Sequence, residues 1–223
     1  MIWIPLGVGA VSGAAVAYPL ERWLRGRSYR YVDEFDRAPA SSGWVRVAIP
    51  VTTGLVAASW WEQAPVLAVV AAAFCTVLIA LAAIDLDVLR LPDMITLPLI
   101  PATAAGVVVA SLTQGDPARI TQAALGGAAL TAFYLTQTLI TRGKGMGLGD
   151  VKLAASIGLI LGALSWSHVA IATLVAYVTA AGIGLFLIAT RRATRRSSIP
   201  FGPHMVGGTV AVLVSPVLVS LTT

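Results

Sequence analysis

The stretch Gly143-Lys144-Gly145-Met146-Gly147-Leu148-Gly149-Asp150-Val151-Lys152 lies between two apolar runs long enough to matter to a membrane. Four of its first seven residues are glycine, so the backbone can turn tightly and let another chain come close. Asp150 follows directly, and a new apolar run begins after it. An ionisable residue at the edge of a membrane span is a candidate functional residue. The alternative is a flexible loop whose Asp150 caps the next helix. The rest of the chain bears on that choice.

Of the 223 residues, 57% are hydrophobic and 11% charged, and the mean hydropathy is +0.86. Soluble domains carry about 25% charged residues. The chain lacks the polar surface to cover a soluble globule, so it reads as an all-α, polytopic membrane helix bundle. Eight apolar segments can be drawn, at roughly 2–20, 44–61, 65–84, 94–113, 118–140, 151–164, 167–190 and 204–221. A span needs roughly 20 apolar residues at about 1.5 Å each, so the sixth is short. The expected organisation is one integral membrane domain over 1–223. Within it, 1–62 holds N-terminal helices and a cytoplasmic loop, and 65–215 forms the core. The single cysteine, Cys75, excludes an internal disulfide and a multi-cysteine zinc site. The net charge of +5 is explained by topology and implies no nucleic-acid partner.

Fourteen of the fifteen Lys and Arg residues fall in four loops on one side, and Arg119 alone falls on the other. The positive-inside rule makes those loops cytoplasmic and puts both termini outside. The run Arg191-Arg192-x-x-Arg195-Arg196 also attracts anionic lipid headgroups. Trp3, Trp44, Trp60, Trp61 and Trp166 fall at span ends, as an aromatic belt would. The long loop 21–43, with Asp33, Glu34, Asp36 and Arg37, is expected to be solvated and partly ordered. His168 is expected to be solvated in an outward turn. His204 is expected to sit at a helix end or in packing.

A second acidic stretch, Ile84-Asp85-Leu86-Asp87-Val88-Leu89-Arg90-Leu91-Pro92-Asp93, stands two spans before the glycine-rich loop. An even number of crossings returns the chain to the same side, so a bundle can bring Asp85 and Asp150 together. Two facing carboxylates share a proton, and such a pair can activate water and protonate a leaving group. Asp85 and Asp87 point about 200° apart on a helix, so only one faces a given site. Asp93, after Pro92, suits an N-cap of the fourth helix, and Asp87 suits an ion pair with Arg90. Lys152 either stabilises the Asp150 anion or snorkels to headgroups. Asp85 ends one helix and Asp150 begins another, and these helix-end fields assign Asp150 the role of base and Asp85 that of acid.

These stretches, with Ile199-Pro200-Phe201-Gly202-Pro203 near the end, resemble the type IV prepilin peptidase family, polytopic aspartic peptidases of the GxGD class. The resemblance covers about residues 65–215. It implies catalytic aspartates at Asp85 and Asp150, with Gly147, Gly149, Lys152, Pro92 and Asp93 binding substrate or shaping the loops. It implies cleavage, after a Gly, of the cytoplasmic leader of prepilin or pseudopilin precursors at a bacterial plasma membrane. The partners are then a substrate helix and membrane lipid. Long members carry a zinc-binding loop with two Cys-x-x-Cys pairs and also N-methylate the new amino terminus. Loop 21–43 has no cysteine, so no metal or other cofactor is expected, and residual methyl transfer stays open. A proton- or cation-coupled membrane transporter is the runner-up. A coupling site belongs near the midplane, whereas the acids here lie at boundaries. A non-catalytic assembly scaffold would need no paired acids.

Overall fold

The computed structural model describes residues 2–36, 38–141, 146–192, 194 and 199–220. Gly143, Lys144 and Gly145 of the glycine-rich stretch lie outside the described residues, as do Arg37, Arg142, Arg195 and Arg196. The described residues form eight α-helices and no strand. They are α1 (Trp3–Gly26), α2 (Val45–Trp60), α3 (Pro65–Val88), α4 (Asp93–Thr113), α5 (Ala118–Ile140), α6 (Leu148–Gly162), α7 (Trp166–Ala189) and α8 (Gly202–Ser220). Six are long and apolar enough to cross a membrane, while α2 has 16 residues and α6 only 15. The chain is a multi-pass membrane protein.

Helix α3 is the central element. It is apolar on every face, begins with Pro65 at its first turn, and has two thirds of its apolar window buried. A helix apolar all round belongs in the interior of a bundle. It packs against α1, α2, α4 and α8. It stops at Val88 because Leu89 turns left-handed at φ 58°, its N–H bonding back to the Asp85 carbonyl. Helix α6 packs closely on α5. A Cβ on Gly158 would come within 2.4 Å of the Gly126 carbonyl oxygen, so only glycine allows the two backbones to approach this closely. That contact fixes the position of α6, and with it Asp150 on its first turn.

The N-terminal part departs from the sequence expectation in two places. Helix α1 continues to Gly26, so Glu21 is helical and fully buried, paired with Arg25 and Arg46. Most of the described residues of loop 27–40 are exposed, as expected, but two ion pairs anchor it more firmly than a free loop. Arg30 grips Asp87 with two bonds of 2.8 and 2.7 Å, and Arg90 grips Glu34 with bonds of 2.8 and 2.9 Å. Trp60 is buried, donating to the Leu213 carbonyl at 2.8 Å, whereas Trp3, Trp44, Trp61 and Trp166 are exposed. Cys75 is buried.

Candidate active site

Asp85 lies in the last turn of α3 and is 5% exposed; Asp150 lies in the first turn of α6 and is 8% exposed. Three contacts between distant parts of the chain bring these helix ends together. The Gly202 N–H, at the start of α8, donates to Asp85 Oδ2 at 3.0 Å. Lys152 Nζ donates to Asp93 Oδ1 at 2.6 Å, tying α6 to α4. Gly149 packs on Leu91, where a Cβ would come within 2.9 Å of the Leu91 Cβ. Leu91 and Asp93, just past the end of α3, thereby touch the start of α6. The shared side expected from counting spans is what the structure has.

Each carboxylate has its own backbone donor. Asp150 Oδ2 accepts the Gly147 N–H at 3.1 Å, at the start of its own helix. Asp85 accepts from the first residue of α8. Both acids therefore rest on a helix N-terminus, and the helix-end argument no longer divides them into acid and base. At Gly202 a side chain would collide with the acid it serves, since a Cβ would lie 2.8 Å from Asp85 Oδ2. Gly147 is different: a Cβ there would meet Asp150 Oδ2 only at 3.8 Å, so its contribution is an N–H that other residues also have.

The other acids have structural partners. Asp87 faces away from the site and accepts from Arg30, from the Tyr29 hydroxyl at 2.8 Å and from the Ala40 N–H at 2.7 Å. Burial and this carboxylate push the Tyr29 hydroxyl up to about 12, so it remains a donor. Arg90, expected beside Asp87, instead reaches Glu34 and lies over the Tyr31 ring at 3.8 Å. Leu89 is the reason, because its left-handed turn ends the helical spacing between 87 and 90. Asp93 is the first residue of α4 rather than its N-cap. Pro92 holds the cap position, and the Asp93 side chain bonds Lys152. Lys152 thus pairs with Asp93 and not with Asp150.

His168 is half-buried, with Nδ1 2.5 Å from Ser165 Oγ and its ring against Trp60. His204 is a packing residue at the start of α8, with Nδ1 3.2 Å from Thr179 Oγ1. Among the described residues, no three His, Cys, Asp or Glu side chains group as metal ligands would.

Behind the aspartates lies an aromatic cluster that the sequence reading missed. Tyr134 from α5, Tyr177 from α7 and Phe201 before α8 have ring centroids 5.2–6.1 Å apart. Phe201 sits beside Gly202, which bonds Asp85. Tyr177 is midway along α7, which runs twelve residues further, to Ala189. That is about 18 Å of helix, so the site is recessed from the end of α7.

The type IV leader peptidase family model matches residues 72–188, more than half the chain and a span that includes both Asp85 and Asp150. The chain belongs to the type IV leader peptidase family. Curated relatives in the family carry the name prepilin leader peptidase/N-methyltransferase. The one from Aeromonas hydrophila is 34% identical over 194 residues, covering 86% of this chain and 63% of the relative. Those from Pseudomonas putida and Burkholderia pseudomallei K96243 are 32% and 36% identical over 158 and 152 residues, covering 53% and 46% of the relatives. The chain thus spans from about half to just under two thirds of the length of these leader peptidases. No solved structure matches it.

Proposed function

We propose that this protein is a membrane-embedded aspartic endopeptidase. It removes the leader from prepilin-like precursors after a Gly, at the cytoplasmic face of a bacterial plasma membrane. The observation that carries this reading is the convergence of two buried carboxylates, Asp85 and Asp150, at one end of the bundle of a leader peptidase family member. Such a pair shares one proton. The ionised member takes a proton from a water as that water attacks the scissile carbonyl, while the protonated member hydrogen-bonds the carbonyl oxygen. Collapse of the tetrahedral adduct breaks the C–N bond, and a proton passes to the departing amine.

Gly149 and Gly202 support the pair by close packing, and Lys152, Asp93 and Pro92 hold the entrances to α6 and α4. We assign the four basic loops to the cytoplasm and both termini to the outside. Residual methyl transfer is the second activity to assay, because the relatives carry methyltransferase in their name. No comparison supports the transporter alternative. The test is co-expression with a prepilin-like precursor whose basic leader ends in Gly. We expect a mobility shift, with the product's amino terminus just after that Gly. An unshifted precursor across a panel of such substrates would contradict the reading.

A further inference from the structure

A cavity of about 420 Å³ opens where α1 ends, beside the last turn of α3 and the residues that lead into α2. Ligand sites run to about 300–1,000 Å³, so the volume suits a small ligand or a headgroup. The buried Leu24 and Ala83 form its apolar wall, and Arg25, Arg27, Ser41 and Ser42 its polar one. The one acid that lines it, Asp87, is already satisfied by Arg30, the Tyr29 hydroxyl and the Ala40 N–H. The basic side chains are not balanced in this way. Arg25 and Arg46 share the single carboxylate of Glu21, which leaves one positive charge over. The Arg27 guanidinium and the Ser41 and Ser42 hydroxyls have no hydrogen-bond or ion-pair partner among the described residues. Arg27 also ends α1 in the left-handed conformation, at φ 55°, where glycine is the usual residue, so the backbone gives no reason for an arginine there.

The level of the cavity points to the source of its ligand. Helix α1 is long and apolar enough to cross a membrane, and Arg25 and Arg27 stand at its end. Two exposed tryptophans flank the same corner: Trp23 packs on Tyr29, which lines the cavity, and Trp44 follows Gly43, which lines it too. Aromatic side chains gather in this way at headgroup level. We infer that the cavity is a seat for the phosphate of an anionic membrane lipid, with Arg27 and Arg25 gripping the phosphate oxygens and the Ser41 and Ser42 hydroxyls donating to the rest. A guanidinium presents its N–H groups in a planar fork that matches phosphate oxygens. Leu24 and Ala83 supply apolar contact for the start of the acyl chains. Ala83 and Asp87 stand two residues to either side of Asp85, so an occupied cavity braces the turn that carries that carboxylate. The binding itself is independent of the peptidase reading.

The test melts full-length protein in phosphatidylcholine nanodiscs with and without phosphatidylglycerol. Wild type gains Tm when phosphatidylglycerol is present. Arg27→Gly suits the left-handed backbone, so in phosphatidylcholine it keeps or exceeds the wild-type Tm, and it loses the gain. Ser42→Glu, which puts a carboxylate into the cavity, loses the gain as well. Native mass spectra of the detergent-solubilised protein read a single-lipid affinity roughly tenfold weaker in Arg27→Gly, for one charge-assisted pair lost. Arg192→Gln, in another basic loop, changes neither reading. An equal gain in wild type, Arg27→Gly and Ser42→Glu would overturn the site, since any basic surface gathers anionic lipid, and so would no gain in wild type. Inorganic phosphate that reproduced the gain in phosphatidylcholine, and failed to in Arg27→Gly, would overturn lipid as the source and assign the cavity to a soluble phosphate compound.

Discussion

At the scale of single residues, Gly202 and Gly147 make opposite predictions from similar positions. Each donates its N–H to one of the two aspartates, but only Gly202 has no room for a methyl group. In Gly202→Ala the group that gives way is the end of the Asp85 side chain, so the cost to stability is small. The displaced carboxylate matters more, since a shift of about 1 Å at a reacting group can cost on the order of 10²-fold in rate. We expect Gly202→Ala to fold and insert normally and to lose about 10²-fold in kcat, while Gly147→Ala stays close to wild type. Single-turnover cleavage alongside a thermal melt checks both. Asp85 and Asp150 could be picked out of the sequence because each stands in a recognisable local stretch. The bond from Gly202 could not, since it joins residues 117 positions apart and leaves no local trace.

At the scale of elements, the end of α3 is locked to loop 27–40. The Arg30 and Asp87 side chains are 0% and 4% exposed and are joined by two hydrogen bonds. Removing one partner of a buried pair costs about 3–5 kcal/mol, and somewhat less where the network lies near the surface. Arg30→Met should therefore lose about 2–3 kcal/mol, and Arg30→Met/Asp87→Leu should recover part of that loss. A double-mutant cycle on the unfolding transition measures it; equal losses in the single and double variants would refute the coupling. The sequence reading put Glu34 in a solvated, partly ordered loop and paired Asp87 with Arg90, because the alternation of apolar and charged runs says where a span ends, not what its loop folds onto. The helix boundaries show the same limit. Eight apolar runs were readable from hydropathy, but the extension of α1 through Glu21 depends on Arg46 of another helix supplying a counter-charge.

At the scale of the whole molecule, the proposed orientation rests on the distribution of Lys and Arg alone, while the shared side of the two acidic stretches followed from counting spans. The recess was not legible. It arises because α8 begins beside the middle of α7, a packing fact that no run of residues encodes. The orientation predicts that a cysteine at Ser42, in a Cys75→Ser background, resists an impermeant thiol reagent in intact cells, whereas one at Thr113 reacts; the reverse pattern would invert the assignment. The claim on which the rest depends is that Asp85 and Asp150 act as a pair while Asp87 and Asp93 are structural. Prepilin cleavage by purified Asp85→Asn, Asp87→Asn, Asp93→Asn and Asp150→Asn tests it most directly. The account predicts no cleavage by Asp85→Asn or Asp150→Asn despite wild-type folding, with turnover retained by the other two. Full cleavage by Asp85→Asn, or its loss in Asp87→Asn with the fold intact, would contradict it.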